Sequence, residues 1–271
     1  MDYSNLALFS DLDGTLFNSK RQVSQKNREA LAKFQERGGL FGIATGRSPQ
    51  NAQSLLQDVP INTWSVVLNG AEAYDYKNGA VAFPWTLPQL RLAGFLTMIQ
   101  ETMPQVNILL CSESHLFFLS DWQTADPDFV RTHQPAVFAP MEQALAFPWM
   151  KVMFCAPHPV LEEVEEIARS YDLYSVLTPV YTLPNYLEFM PYGVNKGRCL
   201  KDLKSWELLR SRKIIAVGDG LNDVELLQEA DFSATVENAS DELKHSADII
   251  LPSNEDDAIA YLIQTVIPSL P

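Results

Sequence analysis

Two aspartates spaced two apart, Asp11 and Asp13, follow directly on the apolar run Leu6 to Phe9 and lead into Gly14-Thr15. Like charges this close raise one another's pKa unless a cation holds both ionised or one is kept protonated for acid work. Hard carboxylate oxygens suit magnesium, which is held by one or two carboxylates together with water and substrate phosphate. A carboxylate can also attack phosphorus directly and form an aspartyl-phosphate. Alone, the pair suggests phosphoryl chemistry, while an Asx-type turn would explain the same residues.

Three further polar junctions stand where apolar elements end. Thr45-Gly46-Arg47 follows Leu40 to Ala44, Lys196 opens a helix, and Gly218-Asp219-Gly220-Leu221-Asn222-Asp223 follows Ile214 to Val217. Each has an ordinary explanation by itself. Thr45 could cap a turn, Arg47 could pair with a surface acid, and Lys196 could be a solvated helix residue. The 218–223 loop could be a calcium-like acidic loop, although it lacks the ligand spacing and closing glutamate of an EF-hand. Taken together, acids for a metal, a hydroxyl and a lysine form a phosphoryl-transfer set, because that reaction depends on positioning and charge neutralisation.

The elements that must position these groups are legible in the pattern. A strand ends at Asp11. Ser24 caps a helix with Ala30, Leu31 and Phe34 as its buried stripe, and Gly38-Gly39 stops it. Leu40 to Ala44 is a second strand, Ser48-Pro49 opens a second helix, and Val66 to Leu68 is a third strand. This alternation predicts an α/β fold with a doubly wound, Rossmann-like parallel sheet, whose βα loops gather at one edge.

After Asn69 the rhythm changes. Lys77-Asn78-Gly79 between two short apolar runs predicts a hairpin. From Pro84 to Tyr192 the pattern gives a helix over 87–102, an antiparallel pair at 106–111 and 116–120, and a loop-rich stretch over 122–140. It continues with a strand at 152–155, a helix at 160–170, and strands at 174–178 and 186–190. Antiparallel strands beside two helices predict a separate α+β module inserted in the first domain. The expected division is 1–83 and 192–271 for the core and 84–191 for the insertion. The parallel rhythm returns with strands at 214–217 and 232–235 and helices at 241–246 and 256–263.

Composition narrows the function further. The 271 residues carry 20 basic against 34 acidic side chains, a net charge of −14, which argues against nucleic acid as a partner. No stretch has the length of a membrane span and the N-terminus lacks a signal-peptide pattern, so no membrane partner and a cytoplasmic setting are expected. Cys111, Cys155 and Cys199 sit in apolar or helical contexts and read as free core thiols in a reducing compartment. The expected oligomeric state is a monomer or a weak homo-oligomer.

Asp11-Leu12-Asp13-Gly14-Thr15, Thr45-Gly46-Arg47, Gly193-Val194-Asn195-Lys196-Gly197 and Gly218 to Asp223, in this order, resemble the four signature motifs of the haloacid dehalogenase-like hydrolases. Asn69-Gly70-Ala71 and the position of the insertion resemble the Cof-type phosphatase branch with its type IIB cap. The resemblance implies a magnesium-dependent phosphatase acting on small phosphorylated metabolites, with sugar phosphates as the leading class. It implies Asp11 as nucleophile and Asp13 as acid and then base. Thr45, Gly46, Arg47, Lys196 and Asn222 would serve the phosphate. Magnesium would rest on Asp11, the Asp13 carbonyl and Asp219, with Asn222 and Asp223 behind it. A phosphomutase of the same superfamily and a receiver-like phospho-acceptor are the alternatives. The mutase would want a second cationic cluster in the insertion, where only Arg91, Arg131, Lys151 and Arg169 are basic. The insertion is expected to hinge near Phe83-Pro84 and Pro191-Gly193 as a lid, and to choose the substrate through residues among Trp122, His115, Tyr181, Asn185 and Glu188.

Overall fold

Strand β1 (Leu6–Ser10) is buried at every position, as a strand with both faces covered must be. A helix over Gln25–Glu36 follows, started by Ser24, whose hydroxyl accepts from the Asn27 backbone N–H, and docked through Ala30, Leu31 and Phe34. It leads to β2 (Leu40–Ile43), again fully buried. Ser48 and Pro49 open the next helix, Pro49–Leu55, as cap and first residue. β3 (Ser65–Val67), β4 (Glu72–Asp75) and β5 (Ala80–Ala82) form a small antiparallel sheet of their own. The computed structural model describes residues 2–270 apart from 57–58, 113–114, 122, 124 and 134–135.

The next stretch holds β6 (Asn107–Ser112), β7 (Leu116–Phe118), β8 (Val137–Phe138), β9 (Trp149–Cys155), β10 (Leu177–Leu183) and β11 (Tyr186–Pro191). They form a six-stranded sheet in the order β10-β11-β9-β6-β7-β8. Its pairs are antiparallel except β7 with β8. The helices Gln89–Thr102 and His158–Ser170 pack on one of its faces. Phe95, Leu96, Ile99, Leu161 and Val164 meet Val152, Phe154, Leu187 and Phe189 in that core.

The chain then returns to the first sheet with a helix at Lys196–Lys204 and with β12 (Lys213–Gly218), β13 (Phe232–Val236) and β14 (Ile249–Leu251). That sheet is wholly parallel, in the order β14-β13-β12-β1-β2. Two compact units result, Met1–Phe83 with Asn195–Pro271, and Pro84–Val194. The sheet order reverses between β1 and β12: from β1 the chain winds outward to β2, and from β12 outward to β13 and β14. In open α/β sheets this switch point, at the carboxyl ends of the strands, is where a ligand fits.

Four details differ from the sequence pattern. The third strand does not extend the parallel sheet: β3 touches the end of β2 through the single bridge Ala44 to Val66 and pairs antiparallel with β4. Leu68, Asn69 and Gly70 all take positive φ, at 50°, 53° and 94°, and reverse the chain before the strand can continue. Residues 173–175 form a 3-10 turn rather than strand, so β10 begins at Leu177. The loop-rich stretch contains the short helix Pro127–Thr132 and is followed by another, Met141–Ala144, both too brief for helical periodicity to register. The last expected helix is α-helical only over Ala258–Tyr261 and widens to a π-turn over Leu262–Val266.

Candidate active site

The residues that close β1, β2 and β12 meet at the switch point. Asp11 continues β1, with its backbone N–H donating to the Val217 carbonyl of β12 at 2.9 Å. Its side chain is buried, and Lys196 reaches Asp11 Oδ1 at 2.8 Å from the start of its helix. Asn195 caps that helix by accepting from the Arg198 backbone N–H at 2.8 Å. The same ammonium donates to Asp223 Oδ1 at 2.6 Å, so Lys196, itself 1% exposed, bridges two carboxylates. The other oxygen of Asp223 accepts from the backbone N–H groups of Asp219 and Gly220, at 3.1 Å each. Asp223 thereby ties the loop after β12 to Lys196.

Asp219 accepts from the Thr15 hydroxyl at 2.7 Å, which joins this loop to the one after β1. Gly14 makes the approach possible. Its φ is +80°, and a Cβ there would lie 2.8 Å from Asp219 Cγ. Oxygens of Asp11, Asp219 and Asp223 all fall within 4.8 Å of one another. Hard oxygen donors in a buried cluster fit a divalent cation such as magnesium. Asp223 already serves Lys196 and two N–H groups, so Asp11 and Asp219 are the better-placed pair.

The charges explain one another. Burial, reinforced by Asp223, Asp219 and Asp13 and opposed by Lys196, pushes Asp11 well above the usual carboxylate range. Burial likewise lifts Asp219 to about 6, against the Thr15 hydrogen bond. Burial works against the Lys196 charge, but Asp11 and Asp223 outweigh it and raise its pKa. The site is a cluster of acids short of positive charge, and a bound cation relieves that deficit.

Thr45 is 1% exposed, and its Oγ1 accepts from the Arg47 backbone N–H at 3.2 Å, so it does cap the turn. Arg47 forms a two-pronged pair with Asp13, Nε to Oδ2 and Nη2 to Oδ1, each at 2.6 Å. Its Nη1 donates to Asn51 one helical turn on. Asn222 donates to Asn69 Oδ1 at 3.0 Å, and the Asn69 backbone N–H donates to the Thr45 carbonyl at 3.0 Å. Gly46 lies against that amide: a Cβ on it would sit 3.0 Å from Asn69 Oδ1.

Two residues of the site have no role in the sequence reading. Thr15 fixes Asp219, and its hydroxyl beside the acidic motif was the available signal. Asn69 joins the Thr45–Arg47 loop to Asn222 from a buried left-handed turn; the sequence marked Asn69-Gly70-Ala71 only as a turn-prone segment resembling the Cof-type branch, with no role for the Asn69 side chain.

The candidate substrate readers of the inserted unit fare differently. Glu188 is buried and paired with Lys151 at 3.0 Å. The Tyr181 hydroxyl donates to Glu165 Oε2 at 3.1 Å, and His115 stacks on Phe117 and lies tilted against Phe147. Asn185 lies in the turn between β10 and β11, and Trp122 lies outside the described residues. The basic side chains are engaged as well: Arg91 with Asp172, Arg131 with Asp128, Lys151 with Glu188 and Arg169 with Glu165. All three cysteines are buried and free, and burial pushes the Cys155 thiol up to about 12 and raises Cys199 also. Those two are poor nucleophiles. Among the described residues no helix is long and apolar enough to cross a membrane.

Known proteins share this arrangement of elements. The chain is 26% identical over 265 residues to a pyridoxal phosphate phosphatase of Escherichia coli, covering 93% of this chain and 95% of that one. It is 27% identical over 267 residues to an HMP-PP phosphatase of Yersinia enterocolitica, covering 96% and 94%. A haloacid dehalogenase-like hydrolase from Bacteroides thetaiotaomicron superposes with a TM-score of 0.84 at 24% identity, over 96% of this chain and 99% of that one. A sugar phosphatase of HAD subclass IIB superposes with a TM-score of 0.79 at 20% identity, over 96% and 98%. These likenesses show a common fold. The family model described as haloacid dehalogenase-like hydrolase matches residues 8–263, and the chain belongs to that family.

Proposed function

We propose that the protein is a magnesium-dependent phosphatase of small phosphomonoesters, acting through an aspartyl-phosphate on Asp11. The observation that carries this reading is the buried Asp11 carboxylate, held through one oxygen by Lys196 beside Asp219 and Asp223 at the sheet's switch point.

An Asp11 oxygen forms a bond to phosphorus as the bond from phosphorus to the ester oxygen breaks. Asp13 gives its proton to the departing alkoxide. Water then attacks the aspartyl-phosphate, Asp13 takes a proton from that water, and Asp11 leaves as a carboxylate. Lys196 keeps Asp11 from rotating and offsets negative charge on the phosphoryl oxygens. Thr45 offers its hydroxyl proton to one of them. Asp11, the Asp13 carbonyl and Asp219 would hold magnesium, which would supply positive charge to offset the repulsion between carboxylate and phosphate.

Relatives named as phosphatases of pyridoxal phosphate and of HMP-PP support a small phosphorylated metabolite as substrate, and sugar phosphates are the class we favour. Hydrolysis is preferred over phosphoryl return to a second hydroxyl. The four basic residues of the insertion are each matched by an acid of the same unit, which among the described residues leaves no cationic cluster for a second phosphate. Free buried thiols support a cytoplasmic setting.

Phosphate release from a panel of phosphomonoesters, with magnesium and with chelator, tests the reading. Release that stops with chelator while far-ultraviolet circular dichroism is unchanged is the expected result. Turnover that persists in chelator contradicts it.

Magnesium binding carries its own pH signature. Asp219, lifted to about 6, must shed its proton to bind the cation. The rise in Tm on adding saturating magnesium is therefore larger at pH 7.5 than at pH 5. Equal rises at the two pH values would show that Asp219 is not a ligand.

A further inference from the structure

The two-pronged bond between Arg47 and Asp13 has a purpose beyond a surface ion pair. Arg47 stands on the loop after β2 and Asp13 on the loop after β1, and their guanidinium and carboxylate meet face to face with both bonds at 2.6 Å. The Arg47 side chain is 14% exposed, whereas that of Asp13 is 47% exposed. Arg47 is itself held at two further points. Its backbone N–H donates to Thr45 Oγ1, and Nη1 donates to Asn51. A half-exposed carboxylate with only a short stem would otherwise turn freely between water and the site. The planar fork fixes both its oxygens at once, which an ammonium cannot do.

We propose that Arg47 is a positioning residue for Asp13, aiming the carboxyl group that serves the leaving alcohol, and is not itself a phosphate ligand. The inference rests on the phosphatase reading, in which Asp13 is the proton donor. A chain of contacts from Asn51 through Arg47 to Asp13 carries the rigidity of a helix start to the acid. Displacing a group by about 1 Å from its productive geometry can cost about 10²-fold in rate.

The test separates positioning of an acid from binding of phosphate through the leaving group. An alkyl phosphate such as glycerol phosphate expels a strongly basic alkoxide that needs the proton. p-Nitrophenyl phosphate expels a phenolate that does not. kcat/KM is the quantity to compare, since it reports the steps up to phosphoryl transfer and leaves out the later hydrolysis.

In Arg47→Met, kcat/KM on the alkyl ester is expected to fall about 10²-fold and on the aryl ester by no more than about threefold. Arg47→Lys keeps the charge but not the fork and is expected to stay at least about tenfold down on the alkyl ester. Asn51→Ala should shift the two esters in the same unequal way, to a smaller extent. Equal losses on both esters would overturn the inference, making Arg47 a phosphate ligand. So would full recovery in Arg47→Lys, or unchanged alkyl turnover in Arg47→Met. Failure of the wild type on both esters would overturn the phosphatase reading, and this inference with it.

Discussion

Asp11→Asn is expected to lower phosphate release by about 10⁴-fold or more, the scale seen when a covalent nucleophile is removed, and to leave the protein folded. The amide matches the carboxylate in size but cannot attack phosphorus. Stability should not suffer, and the direction follows from linkage. Asp11 is raised well above its ordinary range, by burial first and then by Asp223, Asp219 and Asp13, with Lys196 opposing. A carboxyl that binds its proton more tightly in the folded than in the unfolded chain makes the folded state lose stability as pH rises from its unfolded pKa towards the folded one. Near neutral pH without magnesium that loss is already present, and Asn removes it. Lys196 keeps its bond to Asp223 at 2.6 Å. The expected result is an inactive variant whose Tm, without magnesium at pH 7.5, is no lower than that of the wild type. A folded Asp11→Asn with turnover within tenfold of the wild type would end the nucleophile assignment.

Lys196→Met is expected to damage both stability and turnover. The ammonium is buried between Asp11 Oδ1 and Asp223 Oδ1, and methionine leaves two carboxylates facing one another with no cation. Breaking a buried pair by removing one partner costs about 3–5 kcal/mol, because the remaining charge is neither solvated nor matched. Denaturant unfolding measures that loss. Lys196→Met with Asp223→Asn should regain part of it, since one of the stranded charges is gone, yet should stay inactive. Recovery of both stability and turnover in the double variant would reduce Lys196 to a structural role. An unchanged unfolding midpoint in Lys196→Met would show that the bridge carries no net stability.

How far the site could be read in advance depended on whether a residue's role is local. Asp11, Thr45, Lys196 and Asp219 each mark the end of a strand or the start of a helix, and the alternation of apolar runs with caps revealed those boundaries. The gathering of the strand ends at one edge followed from the parallel sheet alone. What the pattern could not show was which side chain faces which across the loops. Arg47 reads equally as a phosphate ligand or a surface cation until its fork is seen on Asp13. Glu188 stands among the candidate readers of substrate, but alternation does not reveal that Lys151 pairs with it in a buried ion pair. Val66 to Leu68 has a strand's composition, and the left-handed turn that ends it at Val67 begins with a positive φ at Leu68, which a leucine does not advertise.

The hydrogen-bonded acid cluster also explains why single motifs mislead. Asp219 alone resembles a loop acid. Its meaning comes from Thr15, 204 residues earlier, and from Asp223, which steers both the loop and Lys196. Two loops far apart in the chain must close on one another before the carboxylates can share a cation. Gly14 is the residue that permits the approach.

Trapping the phosphoryl group is the most direct test of the covalent mechanism. A turning-over mixture of wild-type protein, magnesium and a phosphomonoester is quenched in acid within milliseconds, reduced with borohydride and digested, and the peptide bearing position 11 is examined by mass spectrometry. An aspartyl-phosphate is reduced to homoserine, so the account predicts homoserine at position 11, present only when substrate and magnesium are both supplied. Steady phosphate release with an unmodified Asp11 at every quench time, or with the label on another carboxylate, would contradict it.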